Sequence, residues 1–153
     1  MSSDLSSEEL ITCWGLVEEG FRNTHRVIAT EIEDAGLPIQ WFEVLIRLLR
    51  TPDHRLPMNK LAADIDMTSG GYTKLVDRLE AADLVERVPA VDDRRVIYTS
   101  LTDTGQKAAE EAIARHQLHL DDVVLGVLTG AQLKSLSELM RKLRDAHELS
   151  DTD

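Results

Sequence analysis

Two short groups of residues have the types and spacing to engage an anion. The first is Ser69-Gly70-Gly71 with Thr73, Lys74 and Arg78 behind it, a polar and nearly bulkless run leading into two cations. The second is Arg94-Arg95, flanked by Asp92-Asp93. Around a helix over 69–82, Tyr72, Leu75, Val76 and Leu79 share one face, while Gly70, Lys74, Asp77 and Ala81 lie opposite and Thr73 and Arg78 flank them. A glycine inside a helix costs about 1 kcal/mol against alanine. Two in the first turn therefore fit an end that another surface approaches closely, and the free N–H groups there suit phosphate. Thr73 and Lys74 have the reach for base edges, and Arg78 for a phosphate. Asp77 is awkward on such a face; it could accept from a cytosine amino group or orient Lys74 or Arg78. Arg94 and Arg95 suit insertion into a narrow minor groove, with a neighbouring carboxylate holding a guanidinium extended. Each group also has a plain alternative: an amphipathic packing helix for 69–82, and a solvated turn with local ion pairs of little energetic worth for 92–95.

The elements that position these groups follow from periodicity. Ser6-Ser7-Glu8-Glu9 is a capping-box pattern ahead of Leu10, Trp14, Val17, Phe21, His25, Ile28 and Ile32, which step by three or four. One long helix is predicted over 7–35, ended by Gly36 and Pro38. A second helix over 39–50 buries Phe42, Leu45, Ile46 and Leu49. After the loop Thr51-Pro52-Asp53-His54, a short helix is predicted over 56–65, entered past Pro57, and then the helix 69–82, capped by Thr68 or Ser69. Residues 84–88 and 96–101 are β-prone, so they read as a hairpin whose loop carries Arg94 and Arg95. Thr102 caps a helix over 103–127. Thr129-Gly130-Ala131-Gln132 is a second capping box, opening a last helix that runs to about Leu149 with a frayed tail after it. A helix, a turn, a polar-ended helix and a basic hairpin suit the reading of duplex DNA, with a helix in one groove and a wing in the next.

Bulk properties set bounds. The 153 residues are enough for one domain with a real core, mainly α with a small β-hairpin wing. No apolar run approaches a membrane span and no secretory signal is visible, while one cysteine fits a reducing cytoplasm. The net charge of −11 weighs against non-specific DNA binding. It is unevenly spread: −6 over 1–54, −1 over 55–101 and −4 over 102–153, so the segment with the candidate site is the least acidic. Charge more than about 8–10 Å away is largely screened.

Asp93-Arg94-Arg95-Val96-Ile97-Tyr98-Thr99-Ser100-Leu101-Thr102-Asp103-Thr104-Gly105 resembles the D-x-R-x-x-x-x-x-L-T-x-x-G signature of the MarR (multiple antibiotic resistance regulator) family. Leu61-Ala62, Ser69-Gly70, Asp77-Arg78-Leu79-Glu80 and Leu84-Val85 match its usual pattern, and the helix order extends the resemblance over nearly the whole chain. The resemblance implies a winged helix-turn-helix lobe over 39–101, with 69–82 as recognition helix and 84–101 as wing. It implies a triangular homodimer made through the helices 7–35 and 103–149. It places Asp93 and Arg95 at the wing pair, with Arg95 in the minor groove. Two subunits would read a roughly palindromic operator. Most members are repressors released by a small, often phenolic, ligand bound between the dimer helices and the DNA-binding lobe.

The remaining candidates are weaker. Cys13 lies where peroxide-sensing members carry a reactive cysteine, but the partnering tyrosines look absent, and Trp14 and Ile11 beside it favour an inert core residue. His116-x-x-His119 with Asp121-Asp122 could offer metal ligands, although solvated helix residues are the better reading and no metal or cofactor is expected. His25 reads as a buried or semi-buried histidine, and Trp14 and Trp41 as core; these three are also the candidates to line an effector pocket. No P-loop, G-x-S-x-G, H-E-x-x-H or dinucleotide fingerprint is present, so no catalytic residue is expected. A rival from another class is a winged-helix module whose acidic surface serves a protein partner.

Overall fold

In the computed structural model, residues 5–147 are described. The element order is α1 (Ser7–Asp34), α2 (Ile39–Leu49), a 3-10 turn (Pro52–His54), β1 (Arg55–Pro57), α3 (Met58–Asp64), α4 (Ser69–Ala81), β2 (Val85–Pro89), β3 (Ile97–Leu101), α5 (Asp103–Leu120), a π-helical turn (Asp121–Leu125) and α6 (Gly130–His147). Both capping boxes form. The Ser6 N–H donates to Glu9 Oε2 at 2.8 Å while Ser6 Oγ accepts from Glu9 N–H at 3.3 Å, and Thr129 and Gln132 repeat the exchange at 2.8 and 3.2 Å. Gly36 leaves α1 at φ +87°, a left-handed exit that glycine makes without strain. The end of the last helix near Leu149, and the tail, lie outside the described residues.

Two departures from the expected elements have physical causes. Residues 56 and 57 are strand, not helix. Leu56 precedes a proline, which biases it to extended backbone, and Pro57 itself sits at φ −54°, ψ 139°. Arg55–Pro57 therefore pairs antiparallel with β3, and the hairpin becomes a three-stranded sheet in the order β1-β3-β2. The helix predicted over 103–127 is regular only to Leu120 and continues as the π-helical turn.

The chain parts into two compact units, residues 29–117 and residues 1–28 with 118–153. The first is a winged helix-turn-helix lobe that also takes in the end of α1 and most of α5. Its core joins Val44, Leu45 and Leu48 of α2, Leu61 and Ala62 of α3, Tyr72, Leu75, Val76 and Leu79 of α4, and Leu84, Val85, Leu101 and Ala109. The buried face of α4 is the one its periodicity predicts. A buried polar contact behind that face joins the Tyr72 hydroxyl to Thr99 Oγ1 on β3, at 3.0 Å.

The second unit is built differently. Among the described residues it has no buried side chain. Leu10, Trp14, Val17 and Phe21 form an exposed apolar stripe on α1, and Leu136, Leu139, Met140 and Leu143 form one on α6. Three expectations fail here. Cys13 is exposed rather than core. Trp14 is 49% exposed, its indole N–H donating to Glu18 at 2.9 Å. His25 is exposed and stacks on Phe21. An apolar stripe marks a face as one that is covered; these stripes are uncovered within a single chain. No helix among the described residues is long and apolar enough to cross a membrane.

Candidate nucleic-acid interface

Thr68, not Ser69, caps α4: its Oγ1 accepts from the Gly71 N–H at 3.1 Å. The two glycines then differ. A Cβ on Gly71 would press on Thr68 Oγ1 and the Met67 methyl, whereas a Cβ on Gly70 would meet nothing within 4 Å. Gly71 is thus explained by the cap, and Gly70 by the open surface in front of it. Ser69, Gly70, Thr73, Lys74 and Arg78 are all exposed. Thr73 Oγ1 donates back to the Ser69 carbonyl at 2.9 Å, which leaves its lone pairs facing out.

At the hairpin tip, Ala90 and Val96 close the loop by a backbone bond of 2.9 Å. Asp93 Oδ1 accepts from the Arg95 backbone N–H at 3.0 Å and from Arg95 Nε at 3.1 Å, and Oδ2 accepts from Nη2 at 3.3 Å. The Arg95 side chain is 91% exposed, so the carboxylate holds an arginine that reaches into solvent. Those bonds from Arg95, the side chain first and the backbone second, hold the Asp93 carboxyl below its usual range. Arg94 is exposed beside it.

Of the roles open to Asp77, orienting Lys74 or Arg78 is not the one seen. Asp77 binds Arg87 of β2, whose Nη2 lies 2.7 Å from Asp77 Oδ1 and 3.3 Å from the Thr73 carbonyl. Arg87 Nη1 pairs with Glu80, whose other oxygen accepts from the Arg87 backbone N–H at 3.0 Å. Sequence reasoning missed Arg87 and Glu80. The available signal was two carboxylates three apart on one helix, followed by a lone arginine in the next β-prone run.

The connection after the wing explains the L-T-x-x-G pattern. Thr102 Oγ1 donates to the Asp83 carbonyl at 2.6 Å and accepts from the Gly105 N–H at 2.9 Å, while Thr104 Oγ1 donates to the Asp83 carboxylate at 3.0 Å. A Cβ on Gly105 would overlap the Leu84 carbonyl oxygen. The start of α5 is thereby fixed to the turn between α4 and β2, where Asp83 takes φ +57°.

The three expected pocket residues fall in different units. Trp41 is partly buried against the lobe core, while Trp14 and His25 belong to the other unit. The lobe does carry an open cavity of about 550 Å³ on α2, β1 and α3, floored by Phe42, Ile46 and Leu56 and rimmed by Arg47, Arg50 and Lys60. His116 packs edge-on against Phe42 at 4.9 Å. Among the described residues, no group of three or more His, Cys, Asp or Glu is placed to hold a metal ion.

The family model of the MarR family matches residues 35–96, which spans the lobe from α2 through the wing loop. The transcriptional regulator MhqR of Bacillus subtilis (strain 168) is 23% identical over 137 residues, 90% of this chain and 92% of its own. The transcriptional repressor MdtR of the same organism is 30% identical over 96 residues, 63% of this chain and 61% of its own. Sco3205, a MarR family transcriptional regulator from Streptomyces coelicolor solved in complex with DNA, superposes with a TM-score of 0.76 at 27% identity, covering 100% of this chain and 96% of that one. The lobe, the capped helix, the wing and the L-T-x-x-G connection make a winged helix-turn-helix, and over residues 35–96 that lobe is similar to the MarR family of transcriptional regulators.

Proposed function

We propose that this protein is a transcriptional regulator of MarR type that binds a specific duplex DNA sequence as a homodimer in the cytoplasm and acts as a repressor released by a small-molecule effector. The observation that carries the reading is the pairing, in one lobe, of an open helix end at Ser69-Gly70 with an arginine held outward at the hairpin tip by Asp93. In this reading α4 enters the major groove. Ser69 and Gly70 approach the backbone, Thr73 and Lys74 reach base edges, and Arg78 binds phosphate. Arg95 enters the minor groove, with Asp93 orienting it and Arg94 on the adjoining phosphate. The DNA-bound Sco3205 and the repressor MdtR support the direction of this reading. The uncovered apolar stripes of α1 and α6 support the homodimer, since a soluble chain seldom leaves several such faces bare. The effector reading rests on the family alone, and a phenolic compound is the first class to screen.

The test is fluorescence anisotropy of the purified protein on duplexes selected from a random pool, at two salt concentrations. Selective binding that weakens steeply with salt is the expected outcome, because counterion release reports phosphate contacts. Failure to select any sequence, even at low salt, would leave the acidic surface and a protein partner as the better account.

A further inference from the structure

Arg87 spans the two parts that the DNA reading needs to hold together. It lies on β2 of the hairpin, yet its guanidinium and backbone N–H reach Thr73, Asp77 and Glu80, three positions along one stripe of α4 covering about 10 Å of helix. Its side chain is only 26% exposed, and it is the one residue of β2 with polar bonds to more than one position of α4 among the described residues. Charge gives the contact a second consequence. Helix α4 carries Lys74 and Arg78 against Asp77 and Glu80, so it is neutral by itself. Arg87 makes the combined group three cations against two carboxylates and draws both carboxylates toward the strand.

We infer that Arg87 is a positioning residue of the DNA interface: it fixes the angle between recognition helix and wing and keeps Asp77 and Glu80 from opposing phosphate. The inference rests on the DNA reading above for its role, but its mechanical part stands apart from it. The guanidinium shape matters, because one planar group serves Glu80 through one terminal nitrogen and Asp77 with the Thr73 carbonyl through the other. A lysine keeps the charge and loses that geometry.

Asp77→Asn, Glu80→Gln and Arg87→Lys test this, since the first two keep the side-chain size and alter groups about a third or more exposed, and the third keeps the charge. Two mechanisms give opposite signs. If Asp77 were only a negative charge near DNA, Asp77→Asn would tighten binding to every duplex. As part of the clamp, its loss weakens binding to the selected sequence about tenfold while leaving binding to random duplex unchanged or tighter. Arg87→Lys is expected to behave the same way, with the salt dependence on random duplex retained. Hydrogen exchange on the free protein reads the clamp without DNA: amides over 77–81 and 85–88 are expected to exchange faster in all three variants, while those of α2 do not change. Unchanged exchange overturns the clamp, whatever DNA does. Faster exchange with the ratio of selected to random affinity intact overturns its role at the interface. Faster exchange in a protein whose wild type selects no sequence leaves the clamp standing and overturns the DNA reading with the role assigned here.

Discussion

The Tyr72–Thr99 bond sits in the core directly behind α4, and alkaline pH tests it. Tyr72 is 1% exposed, and burial pushes its phenol up to about 12, although the Thr99 hydrogen bond and the Arg87 charge pull the other way. In the unfolded chain the phenol returns to its ordinary value near 10. A folded value above the unfolded one means that the protonated form is favoured by folding. That contribution is complete below about pH 10 and is lost as pH rises through about 12. Two units set a ceiling of about 3 kcal/mol, and between pH 8 and 11.5 the working loss is about 2 kcal/mol. Tyr72→Phe removes this dependence but leaves the Thr99 hydroxyl, 0% exposed, without its partner, at a cost of about 1 kcal/mol. The stability curves should therefore cross: the phenylalanine variant less stable at pH 8 and more stable at pH 11.5. Urea unfolding of both proteins at matched concentration, with phenolate absorbance followed in the same samples, measures this. Parallel curves across that range would refute the argument, because the other titrating groups are common to both proteins.

Three further outcomes are expected. Arg95→Ala should weaken binding to the selected duplex about tenfold, by about 1–2 kcal/mol, with the melting temperature unchanged because the side chain packs on nothing but Asp93; anisotropy and thermal melting together check it. Gly105→Ala should destabilise the protein by about 2–3 kcal/mol, read by urea unfolding, because the added methyl must displace the Leu84 carbonyl at the start of α5. Leu136→Glu with Leu143→Glu should lower the sedimentation mass from dimer to monomer, and an unchanged mass would place the partner contact elsewhere.

What the sequence made legible was local. The face of α4 that buries Tyr72, Leu75, Val76 and Leu79, both capping boxes and the Asp93–Arg95 pair all lie within a few residues of their partners, so spacing exposes them. What it hid was contact at a distance. Arg87 meets Asp77 across the α4–β2 turn, and β1 is recognisable only once β3 stands beside it. Gly105 was visible as a motif, yet its reason is the Leu84 carbonyl, 21 residues back. Cys13, Trp14 and His25 show the complementary failure: a stripe at helical spacing says that a face is apolar, but not that its own chain covers it.

The unit made of residues 1–28 and 118–153 has helices and no interior among its described residues. Its order must then be borrowed from whatever lies against it, and mass action enters its stability. In the homodimer reading, dilution would unfold this half before the lobe, and the melting temperature would climb with concentration. The number of operator-competent molecules in a cell would fall faster than the number of chains, so the dose of the gene would itself act as a threshold.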